Sequence, residues 1–316
     1  MDNPTHTLTG VLLARSGLNR LTPKAVWIAA IAANIPDIDV VSLVSGPGAY
    51  LAYHRGLTHA IVSIPVMALL PVGIVAAIFR QKLPWIRAWL LSMIAVVSHL
   101  LLDYTNPYGI RLLLPWSDGW PALDITNVVD LWIWAILLIG VVWPLLSGLV
   151  SSEIGARRSP GQGIAITALL LFAAYDTARY FFHERAVQLL QSRIYDGSAP
   201  KRVLAFPDPA NPMQWWGWVE TERSWQSMPV TLTQEFDPQP EKVYYKADPS
   251  PVIDVAMTLP DFKRFAHFAK APHWSITPAG EPRDAVRVEL KDLTFGFNVR
   301  ALVGGDGRVL ESQNRF

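Results

Sequence analysis

The sequence contains no cysteine, and this absence limits what the chain can build. Without thiols there are no disulfide bonds and no thiolate ligands, so any metal site must use nitrogen and oxygen donors. Charge is also scarce: 17% of the residues are charged against 51% hydrophobic, and the formal net charge is +1. This balance provides no general attraction to nucleic acid, and we expect no nucleic-acid partner.

The few charges are unevenly distributed along the 316 residues. Nearly all long apolar runs lie in the first part of the chain, whereas the later part mixes charges, prolines and short apolar stretches. The amino terminus lacks the basic region and cleavage site of a secretory signal, so we expect targeting to depend on internal membrane segments. The sequence predicts a multi-domain chain: an all-α polytopic membrane helical bundle at 1–184, a connector at 185–213 and a small soluble α+β domain at 214–316.

Four apolar segments are long enough to cross the roughly 30 Å hydrocarbon core of a bilayer. They are residues 60–79, 85–102, 128–150 and 163–182. Two shorter helices, at about 5–18 and 23–35, precede them, and their length indicates a re-entrant or internally packed hairpin. If this hairpin is antiparallel, His6 at its start lies beside Asp37 after its end.

Lysines and arginines predict the orientation of these helices. The short loops on one side hold most of the basic residues, namely Arg15, Arg20, Lys24, Arg80, Lys82, Arg87, Arg157 and Arg158. The opposite short loops hold only Arg55 and Arg111. Since basic loops stay in the cytoplasm, we predict a bacterial inner-membrane protein whose carboxy-terminal domain is periplasmic or extracellular.

Three segments contain histidine or aspartate residues that lie at the predicted outer face. They are Asn34-Ile35-Pro36-Asp37-Ile38-Asp39, Tyr53-His54-Arg55-Gly56-Leu57-Thr58-His59 and His99-Leu100-Leu101-Leu102-Asp103. Ionisable groups beside membrane helices are costly, so they pair with one another, face water or form a site. Because His99 and Asp103 share one helical face, they suit two metal ligands, or a ligand and its hydrogen-bonded partner.

We predict that these segments converge on a divalent metal, with zinc as the first choice. The predicted ligands are His6, Asp37, His54, His59, His99 and Asp103. This set exceeds the need of one tetrahedral zinc and favours one to two ions, which would suit hydrolysis of a phosphoester. The predicted catalytic residues are Asp39, Asp124 and Arg55. Asp39 or Asp124 would accept the proton of the attacking water. Arg55 would bind a substrate oxygen or a lipid phosphate.

Each of these residues also has a purely structural interpretation. The pair of His99 and Asp103 could close a helix end by a hydrogen bond, and Asp37 could belong to a solvated turn after a proline. The remaining histidines have no carboxylate or histidine at ligand spacing and are interpreted as surface or packing residues: His183, His267 and His273.

The motifs resemble those of a known family. Over residues 1–220 they are similar to the YdjM-like inner-membrane metal-dependent hydrolases, the group described as LexA-regulated; the motifs are Thr5-His6 with Gly10, Ile35 to Asp39, His54 to His59, and His99 with Asp103. The order of motifs is also distantly similar to the zinc-dependent phospholipase C family. That resemblance implies metal ligation by Asp37, His59, His99 and Asp103. The chain lacks that family's later His-x-x-x-His or His-x-x-x-Glu ligands, so the resemblance implies no ligands for a third ion.

The sequence thus predicts a membrane-bound metal-dependent hydrolase, a phosphoesterase acting on a lipid or lipid-linked substrate at the outer face. Two other classes remain open. A transporter would place its polar groups near the bilayer midplane between repeats, whereas these groups lie at one end and we find no repeat. A non-catalytic scaffold would use the metal only to hold helix ends together. Membrane lipids are the expected partners.

Overall fold

The computed structural model describes residues 1–153 and 161–315, with side chains at 1–149 and 161–315. Two of the predicted loop arginines, Arg157 and Arg158, lie outside the described residues. The chain divides into two compact units. The first comprises Met1–Asp39, Arg55–Arg185 and Phe206–Trp215, and the second comprises Val40–His54, Ala186–Ala205 and Trp216–Phe316.

Helices make up most of the amino-terminal part of the chain. In chain order the α-helices are α1 (Asn3–Arg15), α2 (Ala25–Ala32), α3 (Pro47–Tyr53), α4 (Ile64–Met67), α5 (Leu69–Phe79), α6 (Trp85–Thr105), α7 (Leu131–Glu153), α8 (Gln162–Gln191), α9 (Pro251–Thr258) and α10 (Pro260–Phe268). Short 3-10 helices lie at Leu18–Arg20, Ile35–Ser45, Leu57–His59 and Ile61–Ser63.

Four helical segments in the described part of the chain are long and apolar enough to cross a membrane. They are Ile61–Phe79, Trp85–Thr105, Leu131–Leu149 and Gln162–Gln191. Large apolar side chains on their outer surfaces, such as Ile78, Ile139 and Leu170, are exposed, as expected for contact with lipid tails. The predicted membrane bundle is therefore confirmed, although its last helix runs nine residues past the predicted end at residue 182.

The helices α1 and α2 form the predicted antiparallel hairpin. Asn34, just after α2, donates a hydrogen bond from Nδ2 to Oγ1 of Thr7 at the start of α1, 2.8 Å away. Between the two helices Gly17 has a φ of 123°, which side chains with a Cβ rarely adopt. The second helix ends at Ala32, earlier than predicted, because a 3-10 helix begins at Ile35 and continues through Pro36.

Small residues allow the helices of the first unit to approach closely. Ala25, Ala29 and Ala32 of α2 are buried in the same apolar core as Ala88 and Ala95 of α6. The core brings the carboxyl ends of α2 and α6 together, since α2 is followed by residues that touch the last turns of α6. The packing of these two helices therefore decides which polar groups meet at that end.

The remaining elements are strands that form two sheets. The strands are β1 (Arg202–Pro207), β2 (Gln214–Glu220), β3 (Ser224–Thr231), β4 (Lys242–Tyr245), β5 (Pro272–Pro278), β6 (Val286–Asp292), β7 (Asn298–Val303) and β8 (Val309–Arg315). One sheet has the order β1-β2-β3-β4 and the other β5-β6-β7-β8. Neighbouring strands of the second sheet run antiparallel. Helices α9 and α10 pack against β6 and β7, so the predicted α+β domain is confirmed.

Several carboxy-terminal elements differ from the predictions. The residue pattern at 229–236 predicts a strand there, whereas β3 begins at Ser224 and ends at Thr231. Because this strand buries polar side chains, its sequence lacks the alternation of apolar and polar residues that indicates a strand. Gln226 donates from Nε2 to Oδ1 of Asp196 at 3.0 Å, and Ser224 donates to Oδ2 of Asp196 at 3.2 Å. The predicted connector at 185–213 contains the end of α8 and the whole of β1.

Candidate metal centre

Four ionisable side chains of the first unit meet near the carboxyl end of α6. Asp37, His59, His99 and Asp103 each offer a ligand atom, and these atoms lie within 4.8 Å of one another. We refer to these four residues as the metal cluster. His59, His99 and Asp103 are fully buried, whereas the side chain of Asp37 is 18% exposed. The cluster therefore has one side that solvent or a substrate can reach, the side of Asp37.

The distances from the two histidine nitrogens to the other ligand atoms fit a tetrahedral coordination shell. Nε2 of His59 lies 3.0 Å from Nε2 of His99, 3.5 Å from Oδ1 of Asp37 and 3.4 Å from Oδ2 of Asp103. Nε2 of His99 lies 3.6 Å from each of the same two oxygens. A tetrahedron with metal–ligand bonds of about 2.0–2.1 Å has edges of roughly 3.3 Å. The cluster thus has the dimensions that a small divalent cation needs.

A backbone carbonyl orients the ring of His99. Nδ1 of His99 lies 2.7 Å from the carbonyl oxygen of Ala33, the residue that follows α2. Because a carbonyl only accepts hydrogen bonds, Nδ1 carries the proton in this contact and Nε2 is left with its lone pair. A partner of this kind on the far nitrogen is typical of histidines that bind metals.

A carboxylate orients the ring of His59 in the same way. Nδ1 of His59 lies 3.0 Å from Oγ1 of Thr58 and 3.3 Å from Oδ2 of Asp39. The same oxygen accepts hydrogen bonds from the backbone N–H of Arg55 at 2.9 Å and from Oγ1 of Thr58 at 2.7 Å. Asp39 is therefore held on the far side of His59 from the other ligands, and its position fits an orienting residue better than a ligand.

Asp103 is held by several donors. Nη2 of Arg55 lies 3.2 Å from Oδ2, Nδ2 of Asn106 donates to Oδ1 at 3.2 Å, and the amino group of Met1 also contacts Oδ1. Arg55 in turn donates from Nη1 to Oδ1 of Asn106 and to the carbonyl oxygen of Gly109, both at 3.1 Å. The guanidinium of Arg55 is thus buried and compensates the charge of Asp103.

His6 lies beside the metal cluster. Its ring stacks on that of His99, with centroids 3.9 Å apart, and its Nε2 lies 3.4 Å from Oδ1 of Asp103. Within the described residues neither ring nitrogen of this fully buried side chain has a hydrogen-bond partner. Burial lowers the pKa of His6, so the ring is neutral and able to act as a ligand.

The surroundings of His59 favour a positive charge. Burial by itself lowers the pKa of His59, but its contacts with the carboxylates of Asp103, Asp37 and Asp39 outweigh burial and raise the pKa to about 10. A divalent cation satisfies the same carboxylates as the proton does and can replace it. Donor set, spacing and electrostatics therefore all fit a metal ion.

Two further residues of the predicted site are not members of the metal cluster. His54 belongs to the second unit, where its ring stacks on Tyr50 with centroids 4.4 Å apart. Asp124 lies in the loop between α6 and α7, with a φ of 57°. A metal role for His54 and a catalytic role for Asp124 stay predictions.

Three groups around the metal cluster were not predicted from the sequence: Thr58, Asn106 and the carbonyl of Ala33. Thr58 stands beside His59, and Asn106 follows Asp103 by three residues, so adjacency to a predicted ligand is a usable signal for both. The carbonyl of Ala33 had no such signal, because every residue has one and only the packing of α2 on α6 selects it.

The fold and the site define a polytopic membrane protein with a buried candidate metal centre. Residues 1–186 match the family described as YdjM inner membrane protein, and the chain belongs to this family. The family resemblance seen in the sequence is thereby confirmed, and it locates the protein in the inner membrane.

Two relatives are similar to this chain. It is 30% identical over 207 residues to the uncharacterised protein YfhP of Bacillus subtilis (strain 168), an alignment that covers 62% of this chain and 59% of YfhP. It is 31% identical over 157 residues to the inner membrane protein YbcI of Escherichia coli (strain K12). This alignment covers 40% of this chain and 87% of YbcI. The chain thus spans less than two thirds of the length of YfhP. No solved structure matches the chain.

Proposed function

We propose that this protein is a membrane-bound metal-dependent hydrolase that cleaves a phosphoester in a lipid or lipid-linked molecule at the outer face of the inner membrane. The observation that carries the proposal is the metal cluster. Two imidazoles and two carboxylates whose ligand atoms lie within 4.8 Å of one another are costly to bury unless a cation or protons compensate them. Their burial beside a membrane span indicates a function that needs them there.

Zinc is the first choice among divalent ions for this donor set. All donors are nitrogen and oxygen atoms at tetrahedral spacing, which zinc accepts and magnesium, with its octahedral preference, does not favour. The four residues of the metal cluster account for one ion. His6, whose Nε2 lies 3.4 Å from Oδ1 of Asp103, is the residue that would help to hold a second ion.

The residues of the chain have distinct roles in the proposed reaction. A divalent ion, when bound, lowers the pKa of water and neutralises charge on phosphoryl oxygens. Asp39 keeps Nε2 of His59 directed at the ion, and Arg55 keeps Asp103 ionised in its buried position. Asp39 and Asp124 are the two carboxylates proposed for accepting the proton of the attacking water.

The location of the metal cluster favours a lipid substrate. His99 and Asp103 lie in the last two turns of the span Trp85–Thr105, so the site lies where a membrane span ends. The loop that follows exposes Leu113 and Trp116, and 76% of Trp116 is accessible. Tryptophan prefers the interface between lipid tails and water. A head group can therefore reach the site while its acyl chains stay in the bilayer.

The same geometry supports one other function, a metal that only stabilises the membrane domain. Four protein ligands complete a tetrahedral shell, and structural zinc sites are closed in this way, whereas catalytic sites keep one position open. Hydrolysis requires that Asp37, the partly exposed ligand, yields its position or that the ion accepts a fifth ligand. A measurement of hydrolysis distinguishes the two functions, because only a catalytic metal centre cleaves a phosphoester.

Metal content and hydrolysis, measured on the same samples, test the proposal. The full chain would be purified in detergent, its metals determined by mass spectrometry, and hydrolysis followed with bis(p-nitrophenyl) phosphate and with micelles containing phosphatidylglycerol. We expect the wild type to carry a divalent ion and to lose hydrolysis on chelation and regain it with zinc.

The variants His59→Ala and Asp103→Asn should lose both metal and hydrolysis. The control is Asp118→Asn, which removes a carboxylate that is 62% exposed in the loop after α6 and should keep both. Bound metal without turnover of either ester would favour the stabilising role. A wild-type protein that binds no divalent ion would overturn both functions.

A further inference from the structure

We propose that a pocket at the opposite end of α1 from the metal cluster binds the phosphate of an anionic phospholipid. The pocket has a volume of about 240 Å³ and is lined by Arg15, Asn19, Arg20 and Gln162. We call it the basic pocket. It lies wholly within the first unit. This site is independent of the proposed hydrolysis, because none of its residues belongs to the metal centre.

Three parts of the chain build the basic pocket. Arg15 is the last residue of α1, and a reversal at Gly17 brings Arg20 back beside it. Gln162, the first residue of α8, connects α8 to the segment after α1 by two hydrogen bonds. Its Nε2 donates to the carbonyl oxygen of Ser16 at 3.1 Å, and its Oε1 accepts from Nη2 of Arg20 at 3.1 Å. The two guanidinium groups are thus positioned by hydrogen bonds to neutral groups.

The pocket carries positive charge that the described residues do not compensate. Arg15 donates from Nη1 to the carbonyl oxygen of Val141 at 2.9 Å, a neutral acceptor. Within residues 1–149 and 161–315, no ion pair involves Arg15 or Arg20. The first turn of α8 contains no acidic residue, so its free backbone N–H groups add to the positive potential. Two guanidinium groups beside a helix amino end suit a phosphate monoanion.

The apolar surroundings of the pocket favour a lipid as the source of that phosphate. The span Gln162–Gln191 begins at a residue of the pocket, so a lipid that contacts the start of this span can direct its phosphate at the two arginines. Beside the carbonyl that holds Arg15, the side chains of Val142 and Leu145 on α7 are exposed and apolar. They provide a surface for acyl chains, which free phosphate does not need.

Lipid binding to paired variants tests the proposal. The full chain in detergent would be titrated with phosphatidylglycerol, with phosphatidylcholine of the same chains and with inorganic phosphate, and bound molecules would be counted by native mass spectrometry. We expect one phosphatidylglycerol to bind at the basic pocket, in addition to any bound at the metal cluster, and to bind at least tenfold more tightly than phosphatidylcholine. The double variant Arg15→Gln/Arg20→Gln should lose this preference.

The control is Lys82→Gln/Arg87→Gln, which removes two exposed basic residues outside the pocket and should bind like the wild type. If the double variant fails to fold, the single variant Arg20→Gln, at an exposed position, replaces it and should weaken binding several-fold. Equal binding of the two lipids, or wild-type binding by the pocket variants, would overturn the proposal. Displacement of phosphatidylglycerol by millimolar inorganic phosphate would assign the pocket to the free anion instead of the lipid.

Discussion

Single residues of the metal cluster depend on partners that do not themselves bind the ion. His59 is directed by Asp39, His99 by the carbonyl of Ala33, and Asp103 is compensated by Arg55. These contacts determine which nitrogen faces the cluster and keep the carboxylate ionised away from water. Because the partners act through the ligands, their replacement should change metal affinity or stability by a limited amount and not abolish the site.

Replacement of Asp39 by asparagine tests the orientation of His59. The amide of Asp39→Asn keeps the shape of the side chain but loses the negative charge that faces Nδ1. Losing such a partner typically weakens metal binding about 10- to 100-fold. Competition with a chromophoric chelator on the purified protein measures the affinity for zinc. Asp118→Asn is the matched control, and an Asp39→Asn variant with wild-type affinity would show that Asp39 does not orient His59.

Replacement of Arg55 by glutamine tests its role beside Asp103. Removing one partner of a buried ion pair costs about 3–5 kcal/mol, because the remaining charge is left uncompensated. We expect the variant to unfold at a lower temperature than the wild type when metal is absent, and zinc to recover part of the loss. Thermal unfolding in detergent, with and without zinc, measures both effects. An unchanged midpoint in the metal-free state would contradict this role.

Among the secondary-structure elements, the hairpin of α1 and α2 brings the cluster together. A Cβ on Gly10 would lie 2.5 Å from the carbonyl oxygen of Ala29, so the two helices approach backbone to backbone. This approach places His6 and Asp37 at the same end of the hairpin, next to α6. Glycine is required at position 10 because the two helices pack too closely for a side chain, and not because the backbone has an unusual φ angle.

The variant Gly10→Ala should therefore push α1 away from α2. Overpacking of this kind costs about 1–3 kcal/mol, which we expect to exceed the roughly 1 kcal/mol that alanine adds to helix stability. The matched control is Gly73→Ala in α5, where a Cβ meets nothing within 4 Å, and which should be neutral or stabilising. Thermal unfolding and zinc content would be compared, and equal midpoints for the two variants would argue against close packing at Gly10.

In the whole molecule, the two charged sites lie at opposite ends of α1. His6 and Arg15 are nine residues apart in this helix, which corresponds to about 14 Å along its axis at about 1.5 Å per residue. The metal cluster belongs to the end that we predict to be external, and the basic pocket to the end that the distribution of lysine and arginine predicts to be cytoplasmic. Orientation in the membrane therefore decides which side of the bilayer each site is nearer to.

Cysteine labelling can measure this orientation, because the chain contains no cysteine of its own. Tyr245→Cys introduces a thiol at a position that is 74% exposed in β4, and Gln81→Cys introduces one in the exposed turn between α5 and α6. In intact spheroplasts we expect a membrane-impermeant maleimide to label the first variant and to label the second only after permeabilisation. The reverse pattern would place the carboxy-terminal domain in the cytoplasm.

Local patterns in the sequence were sufficient for much of the membrane domain. The spans follow from apolar runs without charge, and the His99 and Asp103 pair follows from its spacing of four residues on a helix. The sequence did not indicate that β3 has a polar buried face, since Ser224 and Gln226 find their partner in Asp196, about 30 residues earlier in the chain. The sequence also predicted that Arg55 binds a substrate oxygen or a lipid phosphate. In the structure Nη2 of Arg55 lies 3.2 Å from Oδ2 of Asp103.

By itself the sequence determined the number of spans, the donor chemistry of the site and three of the segments that supply it, because hydropathy and the absence of thiols are properties of composition. Only the tertiary structure decided which donors meet. His59 and His99 are 40 residues apart, and their Nε2 atoms come within 3.0 Å because the segment of His59 is bound to the loop after α6, by backbone hydrogen bonds from Arg111 to Arg55 and from Ile61 to Leu112. The choice of Asp39 as the partner of His59, and of Arg55 as the partner of Asp103, likewise follows from contacts between distant segments, which leave no periodic pattern in the chain.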